Sequence, residues 1–407
     1  MRLGPLIPLA LLLTACHGKI ARPAPLSAAI PVGTGLPAAP PQALGFDSAG
    51  LAAAVAYLRA EVDSNAFPGA VLAVGRHGRL ALLAPVGQYG VGEPKPVERS
   101  TVYDLASITK VVGLTTACML LVDEGKLALD APVQRYVPEF RGPEKDHVTI
   151  RHLLTHSSGL PDWRPLYRET SNRADAIALV DTTPLEWYPG EHFIYSDLGA
   201  MVLAQVVEAI TGQPLDEFLA LRVFGPLGMS ATRYVPPPSS WGNIAPTAQD
   251  TTFRHRLLRG EVHDANAGRF DGVSGHAGLF SNAADLSRFA AMLLNGGAWD
   301  TVQLIRSETI AEFTRRQDLP PGSSRALGWD TPDEPRTTGS SAGMRLSERA
   351  FGHTGFTGTS LWMDPERDLF IVLLTNRVNE PDGTLAIRRV RHQLANLVVD
   401  ALTHPEL

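Results

Sequence analysis

Ser107-Ile108-Thr109-Lys110 sits inside residues 105–122, a run almost wholly apolar or small in which Lys110 is the only charge. A helix that is apolar all round is a buried one. Residues three apart on a helix face the same side, so the run predicts a hydroxyl beside an amine in the interior. A serine hydroxyl is a poor nucleophile until a base takes its proton. A lysine can be that base if burial lowers its pKa from about 10.4 towards 7, a shift worth ~4 kcal/mol. One Ser-x-x-Lys occurs by chance in many long chains. Here it is the first of three stretches in a fixed order, followed by Tyr195-Ser196-Asp197 and His353-Thr354-Gly355. The second offers a phenol and a carboxylate. The third is a small-residue strand edge against which an acyl group can lie. Tyr195 taken alone reads as a core tyrosine; its company promotes it.

Outward from the first stretch, Leu51, Val55, Leu58 and Val62 recur at helical spacing and predict a first helix. Two apolar runs, 71–74 and 80–83, flank Arg76-His77-Gly78-Arg79 and predict a hairpin. Residues 200–210 predict a helix stopped by Thr211-Gly212, and 283–294 another, capped by Asn282 and stopped by Asn295-Gly296-Gly297. Residues 331–349 read as a loop. The continuous run Leu369-Phe370-Ile371-Val372-Leu373-Leu374 predicts a strand buried on both faces. Residues 387–402 read as a closing helix.

The chain has 407 residues, 44% of them hydrophobic, enough for a large core. A formal charge of −6 with no Lys/Arg run argues against nucleic acid as a partner. Arg2 followed by an apolar segment too short to span a bilayer reads as a signal peptide over residues 1–15. Leu13-Thr14-Ala15-Cys16 resembles a bacterial lipobox, which implies lipidation at Cys16 and a membrane anchor; a plain secretory signal is the other reading. Cys118 is then the one remaining cysteine, expected as a small core residue with no intrachain disulfide. The Pro/Ala-rich residues 16–45 read as an extended tether. The folded domain is expected over 46–405, with a sheet part from 46–106 and 320–405 and a helical part from 107–319.

The ordered motifs resemble the serine β-lactamase and penicillin-binding protein superfamily, closest to its class C branch and the related esterases and muropeptide hydrolases. The likeness spans nearly all of residues 46–400. It is strengthened by Thr149-Ile150-Arg151-His152-Leu153-Leu154-Thr155-His156-Ser157-Ser158-Gly159-Leu160, by Gly278-Leu279-Phe280-Ser281 before Asp285-Leu286, and by Gly355-Phe356-Thr357-Gly358. It implies an α/β fold of the α+β type, a mixed and largely antiparallel sheet with flanking helices and a helical subdomain. It implies Ser107 as the acylated nucleophile, with Lys110 and Tyr195 sharing its proton. His353, Thr354 and Gly355 would line the site. The N–H groups of Ser107 and Phe356 would form the oxyanion hole, each such donor typically worth ~2.7–4 kcal/mol. No cofactor and no metal is implied. The expected reaction is acyl transfer from an ester, amide or β-lactam, with a peptidoglycan peptide or muropeptide as substrate. A general carboxylesterase and a non-catalytic envelope binding lipoprotein are the alternatives. The expected place is the cell envelope, on the periplasmic face of an outer membrane where there is one.

Two positions depart from the pattern. The third motif usually begins with lysine, and here it begins with His353; no lysine follows Lys145. A histidine with a reference pKa of about 6.5 is mostly neutral at pH 7, so grip on a substrate carboxylate is expected to be weak. Asp197 stands where class C enzymes have Asn. Beside Lys110 its charge would keep the ammonium protonated, which hands the role of base to the Tyr195 phenolate.

Other features read as structural. His152 and His156 are four apart but lack the Glu of a His-Glu-x-x-His zinc motif, so capping and packing are expected. His263-Asp264 and His276 are given structural roles. Val262-His263-Asp264 with Asn266-Ala267 resembles a stretch of muropeptide-hydrolase relatives. Gly272-Val273-Ser274-Gly275 is not a Gly-x-Ser-x-Gly elbow. The sequence leaves the oligomeric state open.

Overall fold

The computed structural model describes residues 35–380 and 383–404. The signal peptide, Cys16 and the tether up to residue 34 lie outside the described residues.

Alternation of period two is hidden in the apolar runs, and it builds the sheet. In Gly69–Arg76, Val71 and Ala73 enter one core while Ala70, Leu72 and Val74 enter another. In Leu369–Thr375, Phe370, Val372 and Leu374 join the first core and Leu369, Ile371 and Leu373 the second. The two strands pair antiparallel, with Val71 opposite Leu374 and Ala73 opposite Val372, so like faces meet. The six strands run Phe351–Thr354, Ser360–Asp364, Leu369–Thr375, Gly69–Arg76, Arg79–Gly90, Glu93–Pro96 in spatial order. All five pairings in this sheet are antiparallel. Phe351–Thr354, the strand of the third motif, is therefore an edge.

The second core lies between one sheet face and two helices, Ser48–Asp63 and Gly383–Asp400. Asp47 caps the first by accepting from the N–H groups of Ala49 and Gly50, and Arg389 of the second pairs with Glu61 of the first. The larger core joins the opposite face to the helical region. There, Asn282 caps Ala283–Leu294 at the predicted start, and Gly212 ends Asp197–Thr211 in a left-handed conformation at the predicted stop.

Three expectations need correction. The tether does not run to residue 45: Leu36 and Leu44 are buried in the two cores, and Ala38 bridges Leu80. Full burial of one leucine stabilises by ~1.5–3 kcal/mol, enough to pin a segment whose prolines cost little entropy to order. The region 107–319 is not purely helical. Leu279–Ser281 pairs with both Tyr103–Asp104 and Arg233–Tyr234 in a small three-stranded sheet. Strands of two or three residues are too short to show alternation. Residues 320–350 add no strand to the large sheet, only a bridge from Asp330 to Gly352.

Candidate active site

The turn that carries Ser107 begins where strand Tyr103–Asp104 ends. Ala106 has φ +48°, a strained conformation for a residue with a Cβ. It is held there by Asp104, whose Oδ1 accepts from the Ala106 N–H at 2.9 Å. Burial pushes the Asp104 carboxyl up to about 6, against two backbone N–H donors that pull it down. A 3-10 turn, Ala106–Ile108, opens the helix, which widens into a π-type segment, Lys110–Thr115, and closes as an α-helix, Thr116–Asp123. The predicted helix exists, but it is irregular at its functional end, as π segments often are.

The third motif is fastened to this turn. The Thr357 hydroxyl donates to the Asp104 carbonyl (2.8 Å) and the Thr359 hydroxyl to the Leu105 carbonyl (2.9 Å). A Cβ on Gly355 would lie 2.4 Å from the Leu105 oxygen, so only glycine allows this approach. Thr354 and Phe356 flank it, and the Phe356 ring is 58% exposed.

Lys110 is 3% exposed, and its ammonium meets Ser107 Oγ at 3.2 Å, the His276 carbonyl at 3.1 Å and Asp197 Oδ1 at 2.6 Å, with the Tyr195 hydroxyl a further polar neighbour. Burial pulls the amine down, but the Asp197 carboxylate and Tyr195 override it and hold the amine above its ordinary value. The lysine is a cation at neutral pH. Its nitrogen lies 4.8 Å from the Tyr195 ring centroid. The Tyr195 hydroxyl is shielded from solvent and, among the described residues, has no well-directed hydrogen bond.

His156 has the packing role expected of it, and its partner is the second motif. Its ring packs on Tyr195 at 4.6 Å, its Nδ1 accepts from the Ser196 N–H, and its carbonyl accepts from Ile194. Ser196 caps helix Asp197–Thr211, and the Asp197 N–H donates to the Asp162 carbonyl. His152 is a capping residue, as expected, its Nδ1 accepting from the Thr149 N–H. Cys118 is free and buried.

His353 is 2% exposed. Nδ1–H donates to the Thr354 carbonyl, which leaves Nε2 a buried acceptor without a partner among the described residues. Burial, then the charges of Arg325 and Lys110, push the imidazole well below its ordinary value. His156 is pushed the same way by the same causes. Both stay neutral in the folded chain while the unfolded chain takes up protons below about pH 6.5. Stability is therefore expected to fall as pH drops through 6.5, by up to about 1.4 kcal/mol per pH unit for each histidine. Urea midpoints between pH 7.5 and 5 check this; the His353→Gln variant should show a shallower slope.

A cavity of about 600 Å³ opens beside this strand, lined by Phe193, Arg325, Ser340, Thr354, Arg388 and Arg391. Arg391 is buried, with Nη2 on the carbonyls of Gly355 and Thr359. Asp330 and Asp333 line the same cavity. Burial and the neighbouring Arg377 and Arg388 push it down to about 9. Arg325, also buried, pairs with Asp330 and lies over the rings of Phe193 and Tyr195. The only hint of these arginines in the sequence was their residue type.

Ligand atoms of Asp197, Asp264 and His276 lie within 4.8 Å of one another. The Lys110 ammonium already sits on Asp197, and His276 already meets Asp264, so a metal ion would have to displace a cation that the site itself supplies.

The sequence model of the Beta-lactamase family matches residues 54–395. A protein of Salmonella agona (strain SL483) named "Putative D-alanyl-D-alanine carboxypeptidase" is 32% identical over 380 residues, 85% of this chain and 87% of that protein. EstCE1, a hydrolase with promiscuous acyltransferase activity, superposes with a TM-score of 0.70 at 23% identity, covering 86% of this chain and 98% of its own. A penicillin-binding protein homologue from Caulobacter crescentus gives 0.67 at 22% identity, over 86% and 97%.

Proposed function

The chain belongs to the Beta-lactamase family and is a serine hydrolase, and we propose that it cleaves a peptidoglycan-derived peptide ending in a free carboxylate, through an acyl-enzyme on Ser107. The observation that carries this reading is the contact of Ser107 Oγ with a lysine that is itself paired to Asp197. The name of the Salmonella relative supports the substrate class.

Lys110 is a cation and cannot accept a proton, so its part is electrostatic: it favours the Tyr195 phenolate and orients Ser107 Oγ. The phenolate takes the serine proton as Oγ attacks the scissile carbonyl. The oxyanion meets the N–H groups of Ser107 and Phe356. The amide C–N bond then breaks, and the tyrosine proton passes to the leaving amine. Water, deprotonated by the same phenolate, attacks the acyl carbonyl; the acyl–Oγ bond breaks, the tyrosine proton returns to Ser107 Oγ, and the shortened peptide leaves as a carboxylic acid.

The neutral His353 gives no charge to a substrate carboxylate. Arg391, with Arg388 beside it, supplies positive charge against Thr354, in a cavity that Asp330, already paired with Arg325, and Asp333 also line. The lost lysine is thus compensated from the last helix. A lipid anchor at Cys16 belongs to the same reading, holding the enzyme near the wall.

The test compares a peptide ending in D-Ala-D-Ala with its C-terminal amide, p-nitrophenyl acetate and nitrocefin, after a fluorophosphonate label has been mapped to Ser107. The free acid should be preferred over the amide. Arg388→Ala should raise KM for the free acid by about 2–5-fold, the range of an exposed charge contact, and leave the ester unchanged. Equal rates on acid and amide, with the ester fastest, would favour the esterase reading. The exposed Phe356 ring and the uncharged His353 are what favour that reading.

A further inference from the structure

One sequence motif has no part in the chemistry above: Val262-His263-Asp264-Ala265-Asn266-Ala267. Each of its polar members reaches a different catalytic segment. The His263 N–H donates to Asp104 Oδ2 at 2.6 Å, the same carboxylate that holds the strained Ala106 before Ser107. The His263 ring stacks on Phe356 of the third motif, 5.5 Å away and 20° from parallel. Asn266 Oδ1 accepts from the Tyr167 N–H and its amide donates to the Arg164 carbonyl, tying down the segment that follows Asp162, the acceptor for the Asp197 N–H.

Asp264 has the most consequential partner. Its Oδ1 is 2.9 Å from His276 Nε2, and His276 Nδ1 is 2.7 Å from Ser274 Oγ. Burial opposes the charge on Asp264, but His276 and the Ala267 N–H outweigh it and hold the carboxyl well below the usual carboxylate range. An ionised carboxylate only accepts, so Nε2–H donates to it. The order Ser–His–Asp resembles a hydrolytic triad. Yet Ser274 is 3% exposed and His276 1%, so no acyl substrate reaches this serine. What His276 does present is its main-chain carbonyl, which accepts from the Lys110 ammonium. It lies between Gly275 and Gly278, where the backbone alone is permissive. Clamping the ring at both nitrogens fixes that carbonyl.

We propose that residues 263–266 are a positioning element for all three catalytic motifs, and that the Asp264–His276 pair sets Lys110 on Ser107 through the His276 carbonyl. This rests on Ser107 being the nucleophile. Asp264, His276 and Ser274 touch neither substrate nor reacting atoms in this account; they act through Lys110.

The test measures fluorophosphonate labelling of Ser107, kcat and KM for p-nitrophenyl acetate, and thermal melting, in the full chain. Asp264→Asn keeps the side chain's size and loses the charge that holds His276. Its kcat and labelling rate should fall about 10–100-fold with KM within about 2-fold, the scale of a displacement of about 1 Å at a reacting group. His276→Ala should match it. His276→Gln, whose amide can still reach a partner, should recover a substantial part of the loss. Should Asp264→Asn fail to fold, Ser274→Ala removes one ring partner and little volume, and a fall of about 3–10-fold in kcat is expected by the same reasoning. Wild-type labelling in a folded Asp264→Asn or in Ser274→Ala overturns the proposal, as does a loss matched by the unfolded fraction. Failure of the wild-type chain to label at Ser107 points instead to the nucleophile assignment.

Discussion

Tyr195→Phe is expected to slow acylation of Ser107 by about 10²–10⁴-fold, the usual contribution of a positioned general base. The protonation state of Lys110 decides which group takes the serine proton. A buried amine without a counter-ion is pushed towards neutrality and becomes a base. Here Asp197 lies 2.6 Å from it and outweighs the burial, so the amine is unavailable as a proton acceptor. A remaining group of the right chemistry is the Tyr195 phenol, whose ring centroid is 4.8 Å from the ammonium. Removing the hydroxyl leaves the ring against His156 and over the lysine, because both contacts are made by ring atoms. The hydroxyl's polar neighbour is the Lys110 ammonium, which keeps Asp197 and Ser107 as partners, so stability should fall by no more than about 1.5 kcal/mol. A kinetic loss far larger than the shift in melting is the signature. Near-normal labelling of Tyr195→Phe would return the role of base to Lys110.

The proposed division of labour is partly legible in the sequence. Asp197 beside Lys110 was an inference from motif order, and the predicted consequence, a retained ammonium, follows from the observed ion pair. Ser107 and Lys110 were legible because their relation is local, three residues on one turn. The strain at Ala106 was not, since nothing in Leu105-Ala106-Ser107 requires a positive φ until Asp104 and the third motif fix the turn. His276, Asp264 and Arg391 were read as structural or passed over for a related reason. His276 is 166 residues from Lys110, and Arg391 is 36 from the Gly355 carbonyl it binds. Contacts of that separation leave no periodicity. The charge missing at His353 is legible in the sequence, whereas the arginine that reaches the Gly355 and Thr359 carbonyls from the final helix is not. The end of the tether was misplaced because proline content signals extension, and an extended segment can still insert Leu36 into a core.

Lys110→Met should show the opposite balance to Tyr195→Phe, a loss of stability together with a loss of activity. Met fills much of the lysine's volume but leaves Asp197 facing a dry interior with its charge uncompensated. Breaking one partner out of a buried pair costs about 3–5 kcal/mol, and Asp197, with 20% of its side chain exposed, belongs at the lower end. The double variant Lys110→Met/Asp197→Asn removes both charges and should recover most of that stability, while acylation stays down because no cation remains to favour the phenolate. Equal melting temperatures for single and double variants would mean that the pair contributes no coupling. The pH dependence has a definite sign. A lysine held above its unfolded value contributes stability that is fully present below about pH 10.4 and lost as pH rises through the folded value. The wild-type chain should therefore lose this contribution only on the alkaline side. Lys110→Met should lack that alkaline limb, and urea titrations from pH 8 to 11 read the difference directly.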